Sequence, residues 1–249
     1  MNAIPKISGN EINLSAVKEA LKEQYMAQAL PSADKMLSLL ELADAVEKQD
    51  IGSASHNDRI SAYIGIMVDA LQVHGLYADE LSGVDKELLC SSSRLHDIGK
   101  LSISDKILNK PGKLTDEEFE IMKTHTTEGE RIMDQVDFSS ENDEFLRNAK
   151  LFAGYHHERW DGKGYPHGLG EDEIPLQGRI MAIVDVYDAL VSQRPYKIAF
   201  TPDEAASIIM DCSGKQFDPI IADLFYEVRM EFEEVAIRNQ MLEDACIQS

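Results

Sequence analysis

Apolar residues recur along this chain at steps of three and four, and no segment sustains the period-two alternation of a half-buried strand. The pattern predicts an all-α chain. Leu14, Val17, Leu21 and Tyr25 line one face of a first helix, and Asp34 is placed to cap a second that carries Leu37, Leu40 and Ala43. A third helix opens near His56, carries Ile60, Tyr63, Ile64, Met67 and Leu71, and stops at Gly75. A fourth is expected from about Asp85 to Asp97, with Gly99 just beyond it.

Lys110-Pro111-Gly112 marks a turn, and Thr115-x-x-Glu118 then forms a capping box. The box predicts one helix with Phe119, Met122, His125, Ile132, Met133 and Val136 on roughly one side. A further helix is expected from about Asn142 to His157. From Arg159 to Pro175 the chain holds Gly162, Gly164, Gly168, Gly170 and two prolines, which reads as a long functional loop. Helices resume from about Leu176 to Val191, Asp203 to Asp211 and Pro219 to Met241. On the last, Ile221, Phe225, Val228, Phe232, Val235, Asn239 and Leu242 alternate steps of four and three. Such a seam packs on the chain's own helices or forms a homodimer contact; its own helices are the simpler partner.

The 249 residues suffice for one full core without disulfides, and 43% hydrophobic with 28% charged residues is ordinary for a globular chain. The net charge of -21 argues against binding a DNA or RNA polymer, which calls for a basic face. It leaves room for a small anion, because a bound metal reverses the local field. The longest apolar stretch, Ile180 to Val191, is broken by Asp185 and Asp188, so no membrane span is expected. Met1 to Asn10 lacks a basic start followed by an apolar run. Cys90, Cys212 and Cys246 lie far apart and form no C-x-x-C, which suits a cytoplasmic protein.

The chain has seven histidines, with the pairs His96-Asp97 and His156-His157 among them. A His-Asp pair presents an imidazole and a carboxylate that can bridge two cations. Adjacent histidines share a metal only near a helix end, since inside a helix they point about 100° apart. Singly, each pair is an ordinary surface or capping feature, and His125 on an apolar face is an ordinary core histidine. By spacing alone, Asp185 and Asp188 are equivalent candidates one turn apart.

The context is more specific. It runs through Arg94-Leu95-His96-Asp97-Ile98-Gly99-Lys100, Lys110-Pro111-Gly112-Lys113-Leu114-Thr115 and His125-x-x-x-Gly129. It continues through His156-His157-Glu158-Arg159-Trp160-Asp161-Gly162-Lys163-Gly164-Tyr165-Pro166, Asp185-Val186-Tyr187-Asp188 and Arg194-Pro195-Tyr196-Lys197. In this order and spacing the chain resembles the HD-GYP family, a branch of the HD metal-dependent phosphohydrolases. The likeness implies a helical bundle of the HD-domain type with an extended glycine-rich loop, and an enzyme that hydrolyses cyclic di-GMP.

The resemblance also implies a ligand set. One metal would take His56, His96, Asp97 and Asp185; the second would take Asp97, His125, His156 and His157, with Asp97 as the bridge. Lys100, Arg194 and Lys197 match basic positions that touch substrate phosphates, so Asp97 and Lys100 are the expected catalytic residues. Two cations so placed activate water and relieve phosphoryl charge, and a set of histidines with two carboxylates suits iron or manganese better than calcium.

Many family members carry a glutamate four residues before the first histidine, where it supports a third metal. Here that position is Gly52, so two metals are expected and onward cleavage of the linear dinucleotide to GMP should be slow. The family links the Gly164-Tyr165-Pro166 segment to GGDEF-domain partners, although it is equally a rigid turn. Trp160 is expected to support the loop, and His74 and His167 to play no ligand role. The expected organisation is a helical extension at 1–35, a catalytic domain at 36–226 and a helix end and tail at 227–249. The 55 residues before His56 are too few for a receiver domain, which suggests a stand-alone catalytic module. Two other functions fit the same residues: an HD-type hydrolase of another cyclic dinucleotide or nucleotide, and a non-catalytic cyclic di-GMP receptor or GGDEF-binding module.

Overall fold

The computed structural model describes residues 32–48, 55–136, 144–193 and 199–247. Among them the fold is all-α, with one isolated bridge between Ser213 and Phe217. The helices are α1 (Ser32–Glu47), α2 (His56–His74), α3 (Lys86–Ser93), α4 (Asp105–Leu108), α5 (Asp116–Lys123) and α6 (His125–Gln135). They continue as α7 (Glu144–Tyr155), α8 (Leu176–Val191), α9 (Pro202–Asp211) and α10 (Pro219–Ile247). The helix expected over Leu14–Tyr25, and Gly52, Arg194 and Lys197, lie outside the described residues.

Two apolar clusters hold the bundle. In the larger, α2 places Ile60, Ile64 and Met67 against Met181 and Ile183 of α8 and Phe225 and Phe232 of α10. In the smaller, Leu39, Leu42 and Val46 of α1 cover Leu95, Ile98, Met133 and Phe145. Each such buried side chain contributes roughly 1.5–3 kcal/mol relative to exposure. The C-terminal seam packs inside the chain as far as Val235, with Ile221, Phe225 and Phe232 fully buried, while Leu242 near its end is exposed.

Four boundaries differ from the pattern, two for visible reasons. The helix expected to start at Asp34 begins at Ser32, so Asp34 lies inside its first turn. Asp85 does cap α3, accepting from the Glu87 and Leu88 N–H groups. That helix ends at Ser93 and not at Asp97. The hydroxyls of Ser91, Ser92 and Ser93 donate to the carbonyls of Glu87, Leu89 and Cys90, competing with the helical ladder. The chain then tightens into three-residue turns, ending in the 3-10 segment Ile98–Ser102. The Thr115 capping box is formed, but its helix breaks at Thr124. There Thr124, Thr126 and Thr127 likewise donate to the carbonyls three residues back. At the C-terminus α10 runs six residues past the expected Met241, to Ile247.

Gly99 decides how closely these turns approach. A Cβ there would sit 1.8 Å from the His125 carbonyl oxygen, and one on Gly129 would sit 2.8 Å from the Ala153 Cβ. Two missing side chains thus let the segment after Asp97, α6 and α7 press together.

Candidate metal centre

That close approach brings the ends of several elements to one point. His56 is the first residue of α2 and His125 the first of α6. His96 and Asp97 occupy the tightened turn after α3, and His156 and His157 follow directly on the end of α7. Asp185 projects from the middle of α8. The Ser55 side chain makes no capping bond to α2; the Glu47 carboxylate of α1 instead accepts the backbone N–H groups of His56 and Asn57.

Two groups of ligand-type atoms result, His56, His96 and Asp97 in one and His125, His156 and His157 in the other, each within 4.8 Å. Asp97 stands between them. Its Oδ2 lies 3.4 Å from His96 Nε2, and its Oδ1 lies 3.4 Å from His125 Nε2 and 3.9 Å from His156 Nε2. Asp185 Oδ1 lies 3.8 Å from His56 Nε2, and Lys100 Nζ lies 2.8 Å from Asp97 Oδ2.

The other ring nitrogens fix the tautomers. Nδ1 of His96 faces the Ser93 carbonyl at 3.0 Å, that of His125 the Met122 carbonyl at 2.8 Å, and that of His156 the Phe152 carbonyl at 2.9 Å. Carbonyls only accept, so each Nδ1 carries the proton and donates. His56 Nδ1 donates likewise to Asp188 Oδ2 at 2.7 Å. Four Nε2 lone pairs are therefore turned inward, with His56 and His96 Nε2 3.4 Å apart and His125 and His156 Nε2 3.2 Å apart. Asp97 Oδ1 is buried there without a hydrogen-bond partner. Facing lone pairs beside an orphaned carboxylate oxygen are a poor arrangement by themselves and a good one around divalent cations, so the residues fit a metal centre.

The electrostatics agree. Burial pushes the Asp97 carboxyl up, but Lys100 and His96 outweigh it and hold it well below the usual range. Burial, reinforced by neighbouring histidines, lowers His156 well below its ordinary value and His157 to about 4, and burial also lowers His125. His96 goes the other way: burial lowers it, but the Asp97 charge wins in the metal-free protein. Three of these rings thus stay neutral near pH 7, as ligation requires.

Asp188 is used differently. It is buried, takes Arg59 Nε at 2.6 Å and Nη2 at 2.9 Å, and holds His56 Nδ1. Asp185 lines that cavity of about 310 Å³ together with Asp97, Lys100, Arg94 and Tyr165. The Arg59–Asp188 pair, Glu47 and Glu158 were not singled out from sequence. Glu158 directly follows the histidine pair, which was the available signal. The other residues carry no local signature.

Glu158 builds the glycine-rich loop from within. Its buried carboxylate accepts the backbone N–H groups of His167 at 2.7 Å, Gly168 at 3.1 Å and Leu169 at 3.1 Å. Gly164 passes so close that a Cβ would meet Arg159 N at 2.4 Å. The Tyr165–Pro166 bond is cis, and the Tyr165 ring lies 4.8 Å from that of His157. The Trp160 backbone pairs with those of Gln216 and Glu171. His167 faces Glu130, and His74 pairs with Glu227 across α2 and α10; both stand apart from the cluster.

A helical bundle closed around a histidine–aspartate cluster defines the class: the profile of the HD domain matches residues 54–221, and the chain belongs to the HD-domain family, in the branch carrying the HD-GYP motifs. A cyclic di-GMP phosphodiesterase of Vibrio cholerae is 41% identical over 235 residues, covering 94% of this chain and 48% of that protein. One of Thermotoga maritima is 38% identical over 208 residues, covering 83% and 53%. The 3'3'-cGAMP-specific phosphodiesterase 2 of Vibrio cholerae is 35% identical over 244 residues, covering 94% and 44%. The chain thus spans about half the length of these relatives. The crystal structure of the cyclic GMP-AMP-specific phosphodiesterase V-cGAP3 of V. cholerae shares the fold, with a TM-score of 0.54 at 21% identity over 82% of this chain and 51% of that one. No described helix is long and apolar enough to cross a membrane.

Proposed function

We propose that this chain is a metal-dependent phosphodiesterase that opens cyclic di-GMP to the linear dinucleotide. The observation that carries the reading is Asp97, a carboxylate set between two histidine groups whose Nε2 lone pairs converge on it. His56, His96, Asp97 and Asp185 would hold one metal; Asp97, His125, His156 and His157 would hold the other. When bound, a pair of such cations acidifies water and relieves phosphoryl charge, and the donor set favours iron or manganese.

The chain's own residues supply the rest. Lys100 sits beside Asp97 with an ammonium that can turn to a substrate phosphate, a charge-assisted contact. Arg194 and Lys197 are proposed for the same task on sequence grounds. Glu158 holds the loop whose Tyr165 closes one wall of the cavity. With glycine at position 52, onward cleavage to GMP is slow.

We place the catalytic unit at 36–226 in the cytoplasm, with 1–35 and 227–249 as extensions. GGDEF-domain proteins are the proposed partners of the Gly164-Tyr165-Pro166 segment. A homodimer through α10 would use the exposed end of its seam, where Leu242 lies. Hydrolysis of 3'3'-cGAMP is the second reading, favoured by the 35% identity to an enzyme of that name. A receptor without catalysis is disfavoured, because every residue of the proposed ligand set is present. Anaerobically prepared, metal-loaded protein given cyclic di-GMP and 3'3'-cGAMP in parallel decides: a higher kcat/KM for cyclic di-GMP supports the first reading, and the reverse order supports the second.

A further inference from the structure

The rings of the centre are held in two different ways. In three of the four whose Nε2 turns inward, Nδ1 donates to a carbonyl three or four residues back: Ser93 for His96, Met122 for His125 and Phe152 for His156. His56 is held from other helices instead. Asp188, 132 residues away on α8, takes its ring, and Glu47 of α1 takes its backbone N–H. As the first residue of α2, His56 has an N–H with no partner inside the helix, and the Ser55 side chain does not cap it. The Glu47 carboxylate accepts the N–H groups of both His56 and Asn57, and its negative charge suits the positive end of the helix.

The helix that carries Glu47 is seated on the other half of the first site. Leu39, Leu42 and Val46 of α1 pack in the cluster that holds Leu95 and Ile98, the residues on either side of His96-Asp97. Asp44 reaches both parts: its Oδ1 accepts from Arg94 Nη2 at 2.7 Å and from Asn57 Nδ2 at 3.4 Å. Arg94 lies two residues before His96, and Asn57 directly follows His56. Arg94 Nη2 also lies 3.3 Å from Asp58 Oδ1 in the first turn of α2. These links tie the start of α2 to the turn that carries His96, and His56 Nε2 meets His96 Nε2 at 3.4 Å between them.

We infer that Asp44 and Glu47 are positioning residues: a brace from α1 sets His56 against His96 and so governs the first metal site and not the second. This rests on the reading of the cluster as a two-metal centre. Both carboxylates act through the backbone of His56 and through its neighbours Asn57 and Arg94.

The test titrates metal-free protein with Mn2+ alone and follows it by electron paramagnetic resonance in the wild type, Glu47→Ala, Glu47→Gln, Asp44→Ala and Ile209→Ala. The last is a core truncation on α9, in the other apolar cluster, and controls for lost stability. The wild type should fill two sites, and the filled pair should give the spectrum of exchange-coupled manganese, since Asp97 bridges them. Glu47→Ala and Asp44→Ala should fill the second site as before, show a single uncoupled manganese, and take the next ion roughly 10- to 100-fold more weakly. Glu47→Gln keeps one acceptor oxygen and should recover part of the loss; it also carries the test if the alanine variant does not fold. Added to His56→Ala, Glu47→Ala should weaken binding no further, because its effect passes through His56. Wild-type affinity at both sites in the Glu47 and Asp44 variants, equal weakening at both sites, or the same loss in Ile209→Ala would overturn the inference and leave the metal centre standing. An undiminished effect of Glu47→Ala in the His56→Ala background would do the same. A wild type that takes up fewer than two manganese ions would remove the two-metal centre, and the inference with it.

Discussion

Asp185 and Asp188 stand one turn apart on α8, and replacing each with asparagine should separate two roles. Asp188 is 1% exposed and neutralises Arg59, itself 6% exposed. Asparagine fits the space but leaves the Arg59 charge buried without its counter-ion, and breaking such a pair costs about 3–5 kcal/mol. A second measure comes from the carboxyl itself. Burial alone would raise it, but Arg59 and His56 hold it at about 2 against an ordinary 3.8, which corresponds to about 2.4 kcal/mol. Because the folded value is the lower one, this stability is present above about pH 4 and is lost as pH falls toward 2. Asp188→Asn should therefore lower unfolding free energy by about 2–4 kcal/mol at neutral pH and flatten its acid limb. The Asp185 side chain is 24% exposed, with no buried counter-ion to strand, so Asp185→Asn should change stability by less than about 0.5 kcal/mol. Urea unfolding of the metal-stripped protein between pH 2 and 7 measures both. Equal destabilisation by the two variants would refute the division of labour.

Three further outcomes follow from the same geometry. Elemental analysis of carefully loaded protein should give two metals per chain; one or three would contradict the ligand set and the role given to Gly52. Asp97→Ala should abolish turnover and empty the site, whereas Lys100→Ala should keep its metals and lose a contact of roughly 1.5–3 kcal/mol, read as a partial fall in kcat/KM. Glu158→Ala should lower the melting temperature and raise KM more than Glu158→Gln, which keeps one acceptor oxygen for the loop; identical effects would show that its three backbone contacts do not organise the cavity wall.

The all-α fold was legible because its apolar faces are strongly periodic, and so were the Asp85 and Thr115 caps, whose chemistry is local. The cluster itself was legible through a resemblance in ordered motifs, and not through any one pair. Two of the misplaced ends share a cause: serine and threonine hydroxyls at 91–93 and 124–127 compete for backbone carbonyls, which hydrophobic periodicity does not register. The supporting residues were illegible for another reason. Glu47 reaches His56 from a different helix, and Arg59 meets Asp188 129 residues away, so only tertiary structure joins them. Spacing could not separate Asp185 from Asp188 either; what separates them in space is Arg59, which engages Asp188 and leaves Asp185 facing the cavity.

The most direct test of the whole account is a chromatographic time course of cyclic di-GMP with the full chain, once loaded with manganese or iron under anaerobic conditions and once stripped with a chelator. The loaded protein should convert cyclic di-GMP to the linear dinucleotide, with GMP lagging far behind, and the stripped protein should leave it intact until metal is restored. Intact cyclic di-GMP in the loaded sample, or equal hydrolysis in both, would contradict a phosphodiesterase centred on Asp97.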